Sequence, residues 1–577
     1  MPGPEQWIDQ VSADNLSAVN AGIARWVRMT GTEDERKAFD YIAETLDGYG
    51  LETKLHLPTC LVSNPVAGKL SVDGTDLNCI THSFSTSTPA SGMAGKLVYA
   101  GGGTLPELGA AEAAGKVVVT DGLASPQKAF AATEAGVRAL ICISGEHLHE
   151  MTVSPVWGSP TLDALQMLPQ VPVVSVDAAA GQRLKAAIEA GDARARVTTE
   201  VDTRWRPIPV LIADLDVAGR EYVLFSGHVD SWHYGAMDNG SANATMIEVA
   251  RVLAGNRDDL RRGVRFAFWS GHSQARYAGS TWFADAYWFD LRDNCVAHVN
   301  VDSTGGIGAT DLTTANTMAE TFDFAADVIE RQTGQELIYQ RFGRAGDQSF
   351  WGIGLPAIFM SVSHQGEPAD VTADLVRLTG GTAARGGGLG WWWHTTEDTL
   401  DKIDPELHAR DTRVYVEVVG RLATDPIVPF DLSGPLDEMS AELELCVSEW
   451  KRAEGLAADD QPDFDGLRGE LAAARAAWDS VNTRARDRNI AADAAAELNA
   501  AILSAAKVLM PANYTSSGEF GHDPALGART LPALHPPLVL AAMTDDELWA
   551  SIHGVRRALN GVRYRVRAAR NVLSSVG

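Results

Sequence analysis

Between Thr32 and Tyr49 the apolar residues Phe39, Ile42 and Leu46 fall at helical spacing, with charged residues between them. The pattern predicts a helix with Thr32 as N-cap, Glu35 completing a capping box and Gly50 at the end. From about 58 to 205 the texture changes. Short β-type runs appear at Lys96–Ala100, Lys116–Thr120 and Ala139–Ile143, with one helical segment at Gln127–Gly136. From about 206 to 428 apolar strands alternate with helices. The strands are Val223–Ser226, Val264–Trp269, Val296–Val301 and Leu355–Val362. Ser241–Leu253 reads as a helix with Met246, Val249, Ala250 and Leu253 on one face. Such alternation predicts an α/β domain on a mainly parallel mixed sheet covered by helices. After Pro429 the chain turns Ala-rich and helical, most clearly at Glu470–Asp479, Ala491–Leu509 and Asp545–Leu573. Tyr514–Pro537 is rich in Gly, Pro and Ser and reads as a long loop.

Three parts follow from this texture. They are an α/β domain from 1–57 and 206–428, a β-rich insert over 58–205, and a helical domain over 429–577. The insert has no cluster of His, Asp and Glu at metal-ligand spacing and reads as an added module, not the chemical centre.

Charge then removes some functions. The 577 residues hold 75 acidic and 48 basic side chains, a formal charge of -27. That argues against nucleic-acid binding, which needs basic surface, and against docking on anionic lipid. No apolar run reaches the roughly 18 residues of a membrane span. The N-terminal MPGPEQWIDQ lacks the pattern of a secretory signal. The five cysteines, Cys60, Cys79, Cys142, Cys295 and Cys446, show no paired spacing, so free thiols and a cytoplasmic location are expected.

The candidate chemistry sits at strand ends. Gly227-His228-Val229-Asp230-Ser231 follows an apolar strand, and Asp238-Asn239 precedes a helix. Asp302 ends another strand, and His394-Thr395-Thr396-Glu397-Asp398 opens a later helix. Gly346-Asp347-Gln348-Ser349-Phe350 stands before a fourth strand. Carboxyl ends of parallel strands gather ligands, and imidazole with carboxylate suits zinc. His228, Asp238, Asp302 and His394 are therefore candidate metal ligands. Asp230 is a candidate to orient the His228 ring from behind. His233, five residues after His228, is a further candidate to reach the site.

The order and spacing of these motifs resemble the co-catalytic zinc aminopeptidase and glutamate carboxypeptidase family, which also contains the transferrin receptor. Gly115–Val119 and Ala135–Leu140 resemble phrases of that family's protease-associated insert. The helical C-terminus resembles its dimerisation domain. The resemblance implies a first metal held by His228, Asp238 and Asp302. A second would lie between His394 and a bridging Asp238. The metals would polarise a carbonyl and activate a water. It also implies a homodimer through the helical domain.

One departure stands out. The family places two glutamates before Gly-Ser, one as base and one as ligand. Here Trp269-Ser270-Gly271-His272-Ser273-Gln274-Ala275-Arg276-Tyr277-Ala278-Gly279-Ser280 contains none. Without a gap, Ser273 and Gln274 replace the pair; with a one-residue shift, His272 and Ser273 do. His272 is open to three roles: base, ligand or packed histidine. The expected function is a divalent-metal-dependent hydrolase of an amide or peptide bond in a small substrate, with His272 as candidate base. Zinc is the expected metal, as one or two ions, with iron or manganese compatible. The alternatives are a non-catalytic metal-binding or receptor-like scaffold, or a metal enzyme with lyase chemistry. Trp391-Trp392-Trp393, a lid of Gly380, Gly381 and Gly386–Gly388, and a carboxylate-holding Arg344 or Arg385 are secondary candidates.

Overall fold

The computed structural model describes residues 3–366, 388–450, 457–486, 490–527, 529–536 and 543–577. Arg385, Gly380, Gly381, Gly386 and Gly387 lie outside the described residues.

The α/β domain is built on a six-stranded sheet. Its strands are β1 (Glu52–His56), β2 (Val210–Leu215), β3 (Tyr222–His228), β4 (Gly263–Trp269), β5 (Cys295–Asn300) and β6 (Ala357–Ile358), in the order β1-β2-β4-β3-β5-β6. β1, β2 and β4 pair antiparallel; β4, β3, β5 and β6 pair parallel. The sheet is mixed, with its parallel half centred on β3. Every residue of β3 and β5 is buried, as strands covered on both faces must be. One face packs Phe225, Phe266 and Phe268 on helices α1 (Glu33–Gly48), α2 (Ala242–Gly255) and α3 (Pro405–Thr424). The other packs Leu224, Ala267 and Trp269 on Phe283 and Leu291.

Two expectations change locally. The strand at Leu355–Val362 shrinks to Ala357–Ile358. Pro356 has no N–H to give a neighbour, and Phe359 turns to φ +61°, which leaves the extended region. The capping box at Thr32 is half formed. Thr32 Oγ1 accepts from Glu35 N at 3.3 Å, but the Glu35 carboxylate accepts from Gly31 N at 2.7 Å and from Ser270 Oγ instead. α1 is thereby tied to the loop after β4.

The insert is an eight-stranded sheet entered and left through the long antiparallel pair Thr59–Val72 and Arg194–Pro207. One of its apolar faces closes on Met237, Trp392 and Trp393 of the α/β domain. The C-terminal part centres on helices α4 (Phe464–Ala485), α5 (Ala492–Tyr514) and α6 (Asp545–Val576). Their buried residues are continuous with the core beneath the sheet, from Trp7 and Val419 through Leu436 to Leu573. No helix among the described residues is long and apolar enough to cross a membrane.

Candidate metal centre

Four of the sequence candidates converge beyond the carboxyl ends of β3 and β5. His228 is the last residue of β3, and Asp302 follows β5 by two residues. Asp238 lies in the tight turn before α2, and His394 opens a turn at φ +58°. His228 Nε2 stands 3.2 Å from Asp238 Oδ1 and 3.6 Å from Asp302 Oδ2. His394 Nε2 stands 2.9 Å from the other Asp238 oxygen. Asp238 thus faces an imidazole with each carboxylate oxygen.

The supports come from elsewhere in the chain. His228 Nδ1 donates to the Asp230 main-chain oxygen at 2.8 Å, which leaves Nε2 free to face the carboxylates. The Asp230 carboxylate has another task. It accepts from the main-chain N–H of His272 at 3.1 Å and of Ser273 at 2.8 Å, and from the Thr30 hydroxyl at 3.0 Å. Asp230 therefore braces His228 through its backbone and fixes the 272–273 turn through its side chain. Asp398 accepts from the N–H groups of Met237 at 2.8 Å and Asp238 at 3.0 Å, clamping the Asp238 turn. Burial pushes Asp398 up to about 7 against the pull of those two N–H groups.

The insert also reaches the centre. Glu150 donates its N–H to the His394 oxygen at 2.9 Å, and His394 Nδ1 donates to the Glu150 oxygen at 2.6 Å. The Glu150 carboxylate, pushed up to about 8 by burial, has Oε1 3.9 Å from His233 Nε2. Trp393 stacks on His394 with centroids 3.4 Å apart, while Trp392 is packed in the core and Trp391 is part exposed on His147. No spacing in the sequence signals the Glu150–His394 or Asp398–Asp238 contacts, because those partners lie 160 or more residues apart.

Among the two residues that replace the family's glutamates in an ungapped reading, neither faces the centre with an acid–base group. Gln274 Oε1 accepts from Thr30 N at 2.9 Å and Thr30 Oγ1 at 2.7 Å. The Ser273 hydroxyl is buried with no partner. His272 is the residue that enters. Its ring stacks on His228 at 3.7 Å between centroids and 15° between planes, and Nδ1 lies 2.6 Å from Asp347 Oδ2. Burial works against a charged Asp347, yet His272 and the hydroxyl of Ser280 hold it below the usual carboxylate range.

His228, His272 and Asp302 each bring one donor atom within 4.8 Å of the others. Ring geometry separates their roles. An imidazole binds a metal along a lone pair in its own plane, at about 2.0–2.1 Å for zinc. The His228 and His272 rings stack with centroids 3.7 Å apart and 15° between planes, so their in-plane lone pairs lie in offset, nearly parallel planes, which disfavours one shared ion. The Asp238 and Asp302 oxygens at 3.2 and 3.6 Å from His228 Nε2 are spaced as ligands of one tetrahedral ion, about 3.3 Å apart by the same bond lengths.

Three observations fit a divalent cation to His228, Asp238 and Asp302. His228 Nε2 and Asp238 Oδ1 are buried without a hydrogen-bond partner. Burial opposes a positive His228, yet Asp302 and Asp238 lift its pKa well above the usual range, so the same spot attracts a cation. Asp238 is buried, yet His228 and His394 hold it well below the usual range, so it is ionised.

Residues 211–419 match the family described as Peptidase family M28. A probable lipoprotein aminopeptidase of Mycobacterium tuberculosis is 24% identical over 402 residues, covering 65% of this chain and 77% of that protein. A probable glutamate carboxypeptidase of Zea mays is 24% identical over 39% of this chain, and the match spans only 31% of that relative's length. Among solved structures, a peptidase M28 precursor from Shewanella amazonensis aligns with TM-score 0.56 at 18% identity, covering 74% of this chain and 98% of that one. That likeness shows the fold.

Proposed function

We propose that this chain, whose residues 211–419 match peptidase family M28, hydrolyses an amide or peptide bond of a small substrate at a single tightly held metal. Family and named relatives support peptide hydrolysis, and an imidazole with two carboxylates suits zinc as the cation. The observation that carries the finer reading is the pair of orphaned buried atoms, His228 Nε2 and Asp238 Oδ1, 3.2 Å apart beside Asp302.

His228, Asp238 and Asp302 would hold this cation. When bound, it supplies polarisation of a carbonyl and a lowered pKa for water. The second position has only Asp238 and His394, short of the three protein ligands usual for a firmly held zinc, so occupancy there is weak.

His272 takes the part of the missing glutamate. Asp347 accepts from Nδ1–H, fixes the ring and leaves the Nε2 lone pair free, on a ring that brings one donor atom within 4.8 Å of those of His228 and Asp302. That nitrogen takes the proton released from the attacking water and passes it to the leaving amine. Asp347 stabilises the charged ring meanwhile. The chemistry is that of a histidine base backed by a carboxylate.

Substituting His228 or Asp302 by Ala should remove bound metal and turnover together. Turnover that persists without metal contradicts the reading. Loss of the glutamate pair favours one rival, a metal-binding scaffold without turnover. It predicts the same metal content and no hydrolysis of any dipeptide.

Two further readings belong here. Pairing of two chains through the helical domain is supported by Tyr564 and Trp549, which expose apolar rings on α6; light scattering should return twice the mass of one chain. Cytoplasmic residence is supported by the five free thiols, and fractionation of the native cell tests it.

A further inference from the structure

Arg276 and Arg344 are buried, at 8% and 3% exposure, and take no part in the centre described above. A buried guanidinium normally meets carboxylates or several carbonyl oxygens. Arg28 does so, with its donors spread over Val229, Ile23, Trp26, Tyr234 and Gly235. Arg276 does not. Among the described residues its side chain donates one long bond, from Nη1 to the Tyr277 hydroxyl at 3.4 Å, and its Nε meets no acceptor. Arg344 donates from Nε to the Asp523 main-chain oxygen at 3.0 Å. Its Nη1 meets no acceptor, with the Asp523 carboxylate 4.0 Å away.

The two arginines share one platform. Arg276 Cζ lies 4.7 Å from the centre of the Tyr277 ring, and Arg344 Cζ lies 4.5 Å from that of Trp157. The two rings pack together at 4.2 Å. Trp157 comes from the insert, and Asp523 from the C-terminal loop. Tyr277 meets His272 edge-on at 4.8 Å. Contacts therefore run from Arg276 through Tyr277 and His272 to His228, then to Asp238 and His394. The arginines and His394 are the two ends of this run of contacts. Two neighbouring buried cations with unmet N–H groups are costly unless an anion joins them.

We propose that Arg276 and Arg344 form an anion subsite that holds a carboxylate of the substrate, one ring's width from His272. A carboxylate has the planar two-oxygen shape that a guanidinium fork matches. Successive residues lie about 3.8 Å apart along a peptide, so a carboxylate on the residue after the scissile bond stays within one or two such spans of the reacting carbonyl. The word substrate rests on the hydrolase reading; the anion binding does not.

The test separates the two. Metal-free protein is titrated calorimetrically with glutarate and with its neutral diamide, glutaramide, and its melting is followed in each. Glutarate should bind and raise the melting midpoint, and glutaramide should do neither. R276M should weaken glutarate binding about 10- to 100-fold, the worth of a lost charged hydrogen bond. R276K should fall between, keeping charge and losing the fork. R344M repeats the comparison should R276M not fold. Equal action of glutarate and glutaramide, or full glutarate binding by R276M and R344M, overturns the proposal. Zinc-loaded protein is then offered alanyl-glutamate, alanyl-glutamine and alanyl-glutamate amide. Preference for the first two means the subsite takes the terminal carboxylate; preference for the first and third means the side chain. Arginine-dependent glutarate binding with no hydrolysis leaves the subsite standing and removes the hydrolase.

Discussion

At the residue scale the account turns on His272. On the proposed reading His272 is a base and not a ligand, and substitution distinguishes the two. H272A should lower kcat by about 10²–10⁴ while metal content stays unchanged. Loss of metal along with activity would make His272 a ligand. His228, Asp238, Asp302 and His394 were legible in the sequence because each stands at the end of an apolar strand or the start of a turn. The ion pair that fixes the His272 ring was not. Its partner Asp347 is 75 residues away, and no periodicity links them. The brace expected from the Asp230 side chain comes from its backbone for the same reason: one spacing allows both, and only the φ/ψ of the turn decides.

Among the elements, the turn that carries Asp238 depends on Asp398, which satisfies two main-chain N–H groups at its start. D398A should reduce zinc affinity about 10–100-fold, as losses of supporting groups behind metal ligands do, with the circular dichroism unchanged. Unchanged affinity would show that the turn holds itself. In the helical part, His535 lies between Glu449, 2.8 Å from Nδ1, and Glu442, 3.1 Å from Nε2. Burial works against its charge, yet Cys446, Glu442 and Glu449 raise it to about 10. The pKa is raised on folding, so the stabilisation is fully present below about 6.5, the unfolded value. It is lost as pH climbs through 10. Urea unfolding at pH 6, 8 and 10 should show stability falling across this range, and H535Q should flatten that fall. An equal fall in H535Q would assign it to other groups. Element positions were legible in part. The strands expected at Val223–Ser226, Val264–Trp269 and Val296–Val301 and the helix expected at Ser241–Leu253 stand within a few residues of their apolar periods. The 14-residue strands Thr59–Val72 and Arg194–Pro207 and the helix Pro405–Thr424 carried no expectation, and β6 is short where Pro356 and Phe359 override an apolar run.

For the whole molecule, the helical C-terminal part shares one apolar core with the α/β domain, whereas the insert has one buried face of its own and one that closes on Met237, Trp392 and Trp393. Scanning calorimetry should therefore show the α/β and helical parts melting in one transition. A separate transition for the helical part, matched by a stable isolated 429–577 fragment, would contradict this. The sequence showed the change of texture near 429 but not the shared core, because composition marks where helices begin and not what they cover. It also read the insert as remote from the chemistry, whereas Glu150 holds His394 and Trp157 supports Arg344. Both contacts come from a loop whose residues carry no period.

The central claim is one firmly held cation at His228, Asp238 and Asp302, with His272 beside it. The most direct measurement is metal per chain, by mass spectrometry on protein purified without chelators and dialysed, for wild type and H272A. The account predicts about one equivalent of zinc in both, since a single site has three protein ligands and the Asp238–His394 pair falls short. No retained metal, or two equivalents that fall to one in H272A, would contradict it.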